Sequence, residues 1–163
     1  MDDHVTAGDT ASTKSPKRAD QEMVEIKSIC PSCSSPVDIA VGQAVRENRI
    51  TWWEAFRCSN CGCQQESDGK DQTPEDIKQA ILIKHGEWCL VISEVKGTSL
   101  IRTLTRLRDA LQLSLAETGH LKERLPGKAA TGTRAEMEWL SGVIKQGRSD
   151  ASAMQITVEP NPQ

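Results

Sequence analysis

Apolar positions in the second half of this chain recur with a helical period, broken at regular places by short extended runs. From Thr98 to Leu111 the leucines fall at 100, 104, 107 and 111, the spacing of one helical face, with Ile101 widening the stripe. Ser114-Leu-Ala-Glu117 has the form of a capping box and opens a second helix, whose apolar side is Leu115 and Leu121 and which Leu125-Pro-Gly127 stops. Thr133-Arg-Ala-Glu136 repeats the box before a third helix bearing Met137, Leu140, Val143 and Ile144, closed by Gly147. Trp88-Cys-Leu-Val-Ile92 reads as a strand, and Ala151 to Val158 can pair as a last one. Residues 87–158 therefore predict strand, helix, helix, short extended segment, helix, strand.

The first half is patterned differently. Thr51-Trp-Trp-Glu-Ala-Phe-Arg57 alternates as a strand would, with Trp53 and Ala55 on one side and Trp52, Glu54 and Phe56 on the other. Residues 1–27 hold few large apolar side chains, too few to offset the entropy of ordering them, and read as a disordered tail. The polar run Glu66 to Gln72 reads as a linker, so the two halves are expected to fold as separate units. A short helix follows within 68–86, with Thr73 as N-cap, Pro74 at the first helical position, Ile77, Ala80 and Ile81 as its apolar stripe and Gly86 at its end.

With 163 residues and 37% hydrophobic content, there is room for one moderate core, or for a small stapled module beside a compact domain. A net charge of −3 gives no reason to expect strong attraction to nucleic acid or membranes. Tyr is absent and Phe occurs once, so the four Trp carry nearly all the aromatic surface. The first twenty residues contain no apolar stretch and no segment approaches membrane-spanning length, which predicts a cytoplasmic protein in a reducing compartment.

That compartment decides how the cysteines are read. Cys30-Pro-Ser-Cys33 and Cys58-Ser-Asn-Cys61-Gly-Cys63 form two knuckles with 24 residues between them. A Cys-x2-Cys turn presents two thiolates from one tight loop, and two such turns complete a tetrahedral zinc site. Disulfide pairing is the alternative, but this spacing suits metal better. Residues 28–67 thus read as a zinc ribbon with Cys30, Cys33, Cys58 and Cys61 as ligands, and Cys63 as an alternative to Cys61. The zinc is structural, replacing a core that forty residues cannot build. Cys89 reads as a small core residue, and His4, His85 and His120 as dispersed surface residues. No phosphate-binding loop, metalloprotease motif or nucleophile elbow is present, and a zinc held by four cysteines leaves no position for water. An enzyme is not expected.

Arg108 to Glu117, Leu125-Pro-Gly127 and Gly132 to Glu136, taken with the element order, resemble the C-terminal domain of the bacterial ribosomal stalk protein. Arg108, Leu113, Leu115, Glu117, Leu121 and Pro126 stand where that family's pattern has them. The resemblance covers roughly residues 87–158 and implies a compact βααβαβ domain. The overall class is then α+β, a zinc ribbon followed by the stalk-like domain. The family's junction glycines are Gln112 and Ser114 here, and the lysines it presents to translation factors fall on Leu100, Thr105 and Ala116. Its N-terminal dimerisation region has no counterpart.

The expected function is a non-catalytic, zinc-binding adaptor of the bacterial cytosol that engages a protein partner. The expected working surface is the helix carrying Arg102, Arg106 and Arg108, assisted by an exposed ribbon aromatic, Trp52 or Phe56. Residues 28–67 set Arg46, Arg49 and Arg57 against Asp38, Glu47, Glu54 and Glu66, so clustered phosphate binding is disfavoured and nucleic acid is the weaker partner. A ribosome- or translation-associated factor and an inhibitor that neutralises a toxin or enzyme are the alternatives.

Overall fold

The computed structural model describes residues 22–146 and 154–162. His4, the tail up to residue 21, Gly147 and residues 151–153 lie outside them. The chain is mixed α+β, with two antiparallel sheets and four helices among the described residues. The first sheet is a meander of β1 (Glu22–Ile29), β2 (Pro36–Arg46), β3 (Arg49–Arg57) and β4 (Gln64–Lys70), paired in chain order. Then come α1 (Glu75–His85), β5 (Trp88–Ser93), α2 (Gly97–Leu111), α3 (Leu115–Arg124), β6 (Gly127–Gly132), α4 (Arg134–Lys145) and β7 (Gln155–Pro160). The second sheet has the order β6-β5-β7.

Three expectations need correction here. Residues 22–27 belong to β1, and the supposed linker contributes Glu66 to Lys70 to β4. Each is an edge strand of a sheet with one open face, and since β4 is polar throughout and β1 turns only Val24 and Ile26 to the core, both resemble a tail or linker when composition alone is weighed. The short helix α1 is no connector either. Ile77 and Ile81 are buried with Val24 and Val41, under β1 and β2, so α1 completes the first sheet's interior.

Two glycines let tryptophans lie flat across the strands. Trp53 faces Gly42 and Trp52 faces Gly69, and a Cβ at either glycine would meet the indole at 2.6 Å. Glu47 and Asn48 join β2 to β3 with φ of 50° and 61°, the paired left-handed conformations of a tight hairpin turn.

In the second half, Leu90 and Ile92 of β5, Leu104 and Leu107 of α2, Leu121 of α3 and Met137, Leu140 and Ile144 of α4 join one buried cluster. Both capping boxes form, Ser114 with Glu117 and Thr133 with Glu136. Ile101 and Leu115 depart from the expected stripes and are 66% and 76% exposed. Leu115 and Leu121 are six residues apart, about a third of a turn out of phase, and Ile101 lies about 100° round from Leu100. Gln112 ends α2 with φ of 53°, a left-handed position more often taken by glycine.

The halves touch through polar contacts, the most buried of them at Gln43. Gln43 of β2, 1% exposed, donates from Nε2 to Thr73 Oγ1 at 2.7 Å and accepts at Oε1 from the hydroxyl of Thr133 at 2.6 Å. Thr73 therefore bonds to β2 and does not cap α1, where Pro74 takes the N-cap position with no side-chain bond. Lys78 pairs with Glu136 at 2.8 Å, and Trp139 Nε1 donates to the Asn48 carbonyl at 3.1 Å. The two cores therefore share a hydrogen-bonded boundary.

Candidate metal centre

In a meander the turns alternate between ends, so the β1–β2 and β3–β4 connections lie together, away from the β2–β3 hairpin. Those two connections are the cysteine knuckles. They are built alike. Cys30 donates its N–H to Ser35 and accepts from Ser34 at its carbonyl, while Cys58 does the same with Cys63 and Gly62, at 2.7 to 3.0 Å. The fourth residue after each first cysteine is left-handed, Ser34 with φ of 58° and Gly62 with φ of 75°.

The result is a cluster in which the Sγ atoms of Cys30, Cys33, Cys58 and Cys61 all lie within 4.8 Å of one another. Across the knuckles, Cys30 meets Cys61 and Cys33 meets Cys58, each at 3.6 Å. Four sulfurs about 2.3 Å from a central zinc stand about 3.8 Å apart in a tetrahedron, so the spacing fits a metal ion. All six cysteines are free thiols, which removes the disulfide alternative from this structure. Cys30 and Cys58 are buried with Val37, and Phe56 packs against them.

Hydrogen bonds set the sulfurs up unequally. The Ser35 hydroxyl and backbone, with Asn60 and Cys61, hold the Cys33 thiol down to about 5. Burial opposes ionisation of Cys30, yet bonds from the Ser32 and Cys33 backbone and from Cys61 bring it below the ordinary thiol value. At Cys61 a backbone bond from Cys63 favours the thiolate, but Cys33, burial, Cys30 and Cys58 outweigh it and push the thiol up to about 12. Four thiolates this close repel one another, so some keep their protons until a cation replaces them.

Cys63 lies outside the four-sulfur group, half-buried against the same small core, and its carbonyl closes the second knuckle. Asn60 is a supporting residue that knuckle spacing does not reveal. Its Nδ2 donates to Ser35 Oγ at 3.0 Å and approaches Cys33 Sγ at 3.6 Å, tying the two turns together. Cys89 is buried in β5, and His85 and His120 are exposed.

The residues expected to meet a partner divide. Trp52 is occupied with Gly69 and the Val24 cluster, and Phe56 with the cysteines. Arg106 reaches back to α4, donating to the carbonyls of Val143 and Ile144 at 3.4 and 2.6 Å, groups that a helix end leaves unbonded. Arg102 and Arg108 are exposed on α2, as is Ile101. No helix among the described residues is long and apolar enough to cross a membrane. No protein-family model, curated protein or solved structure matches the chain.

Proposed function

We propose that this chain is a non-catalytic adaptor of the bacterial cytosol, its first sheet stapled by one structural zinc ion and its second half carrying the surface for a protein partner. The observation that carries the metal reading is the convergence of Cys30, Cys33, Cys58 and Cys61 at one end of the meander. Four thiolates in a tetrahedron suit zinc, whose filled d shell demands no other geometry, and they leave no position for a reacting water. Iron accepts the same donor set, so elemental analysis separates the two. The purified full chain is expected to hold about one zinc per molecule, and Cys33→Ser to lose it. Full zinc content in that variant would remove Cys33 from the site.

The element order from β5 to β7 supports the stalk-like reading of the second half, and it directs attention to α2. With Arg106 engaged on α4, Arg102 and Arg108 are the charges left to meet an acidic partner. Exposed charges contribute little to stability but govern association. Once a partner is isolated with the tagged full chain, a combined Arg102→Glu and Arg108→Glu variant is expected to stay folded and bind it several-fold more weakly. Unchanged binding would rule this helix out as the working surface.

A further inference from the structure

β1 closes one side of the first sheet, and among the described residues no strand pairs with its outer edge. Its pairing with β2 runs without a bulge from Glu22 to Ile29, and the strand contains neither Pro nor Gly. A straight edge of this kind presents a row of N–H and C=O groups to which another strand can add. Val24 and Ile26 face the core with α1, while Met23, Glu25, Lys27 and Ile29 share the open face. Met23 is 53% and Ile29 67% exposed, and between them stand one acid and one base.

We propose that β1 is a self-association edge that pairs antiparallel with β1 of a second copy, about a two-fold axis at Ile26. Opposed residues in an antiparallel pair must both point their backbone groups across the junction or both away, so only registers differing by two residues are open. Centring on Ile26 sets Met23 against Ile29 of the second copy and Glu25 against Lys27, each twice by symmetry. Centring on Glu25 opposes two glutamates and sets Met23 against Lys27. Centring on Lys27 opposes two lysines. Cross-strand pairs of opposite charge and of apolar side chains stabilise a sheet, and like charges do the reverse, so the strand's own sequence selects the first register.

The rows continue into each chain. Glu25 neighbours Ala40 on β2, and Lys27 neighbours Asp38, with which it forms an ion pair while its side chain stays 85% exposed. A second copy adds a carboxylate on the other side of Lys27. In the next row Met23 neighbours Gly42, which lies under the Trp53 indole, and Ile29 neighbours Pro36. Pairing would thus join two apolar rows and two charge rows into one eight-stranded sheet, with the sulfur clusters at opposite ends.

Sedimentation equilibrium of the full chain over a concentration series is the test. A dimer is expected, with Glu25→Lys and Lys27→Glu each weakening it at least tenfold. An equimolar mixture of the two variants is expected to restore dimerisation. One strand then carries only lysines at positions 25 and 27 and the other only glutamates, so both opposed pairs at the junction are again of opposite charge. With one variant uniformly labelled with 15N, native mass spectrometry distinguishes that heterodimer by mass. Glu25→Lys leaves the Lys27–Asp38 pair intact, and if Lys27→Glu alters the circular dichroism spectrum, Lys27→Glu with Asp38→Lys replaces it. A monomeric wild type, undiminished dimers of the single variants, or a mixture without heterodimer would each overturn the proposal.

Discussion

Residues 88–158 gather buried side chains from β5, β6, α2, α3 and α4 into one cluster, whereas the first sheet divides its interior between Val24, Val41, Ile77 and Ile81 near α1 and Cys30, Val37 and Cys58 at the knuckles. A single cluster of that size can repay the ordering of its own chain. Two clusters of four and three residues, under four strands, cannot do so by hydrophobic burial alone. The difference teaches where a metal would stabilise most: the sulfurs cluster with Val37, apart from the residues that α1 buries.

Removing the proposed zinc is therefore the largest perturbation available. Structural zinc contributes roughly 10 kcal/mol or more to such modules at neutral pH, so chelation should melt β1–β4 and release α1 while α2–α4 keep their helical signal. Acid should act in the same direction, because protons compete for the thiolates. A fragment of residues 87–163 is expected to unfold cooperatively on its own. One of residues 73–163 would add α1 with Ile77 and Ile81 uncovered, and so gain no stability from it. Collapse of the whole circular dichroism signal on chelation would show that the second half depends on the first.

The boundary between the halves gives the next effect. Gln43 bonds to Thr73 and Thr133 in a setting where both Gln43 and Thr133 are almost wholly buried. Leaving a buried hydroxyl without its partner costs about 1–3 kcal/mol, so Gln43→Ala should lower the stability of the full chain by that order. Calorimetry should also show the two transitions moving apart as the contact is lost. A variant with unchanged transitions would mean that the junction merely abuts.

The helices and the sulfur set were legible because each is written locally. Capping boxes, leucine spacing and Cys-x2-Cys knuckles span at most a few turns of chain, and the element order from β5 to β7 follows from them. The first sheet's edges, β1 and β4, were not legible, since β4 is polar throughout and β1 turns only Val24 and Ile26 to the core, so their composition matches that of a tail or linker. The fate of Gln43, Thr73 and Arg106 could not be read at all. Each bonds to a group 30 or more residues away, and nothing in the adjacent sequence marks the partner.

The two capping boxes offer the finest test of the comparison. Ser114 is exposed and serves α3 alone, its hydroxyl accepting from the Glu117 N–H at 3.2 Å. Thr133 accepts from the Glu136 N–H at the same 3.2 Å, but it is fully buried and also donates to Gln43. Loss of a cap alone costs about 1 kcal/mol, which is the expected effect of Ser114→Ala on chemical unfolding of the second half. Thr133→Ala should cost distinctly more in the full chain, because it strands the Gln43 carbonyl, and only the cap's share in the 87–163 fragment, where Gln43 is absent. Ser114 holds the Glu117 carboxyl below its ordinary range, through the hydroxyl first and the backbone second. A depressed carboxylate contributes stability above its unfolded pKa of about 4.3 and loses it as pH falls through the folded value, so the Ser114→Ala penalty should shrink in acid. Equal penalties for the two caps in the full chain would show that the Gln43 bond adds nothing, and that the halves are held together by other contacts.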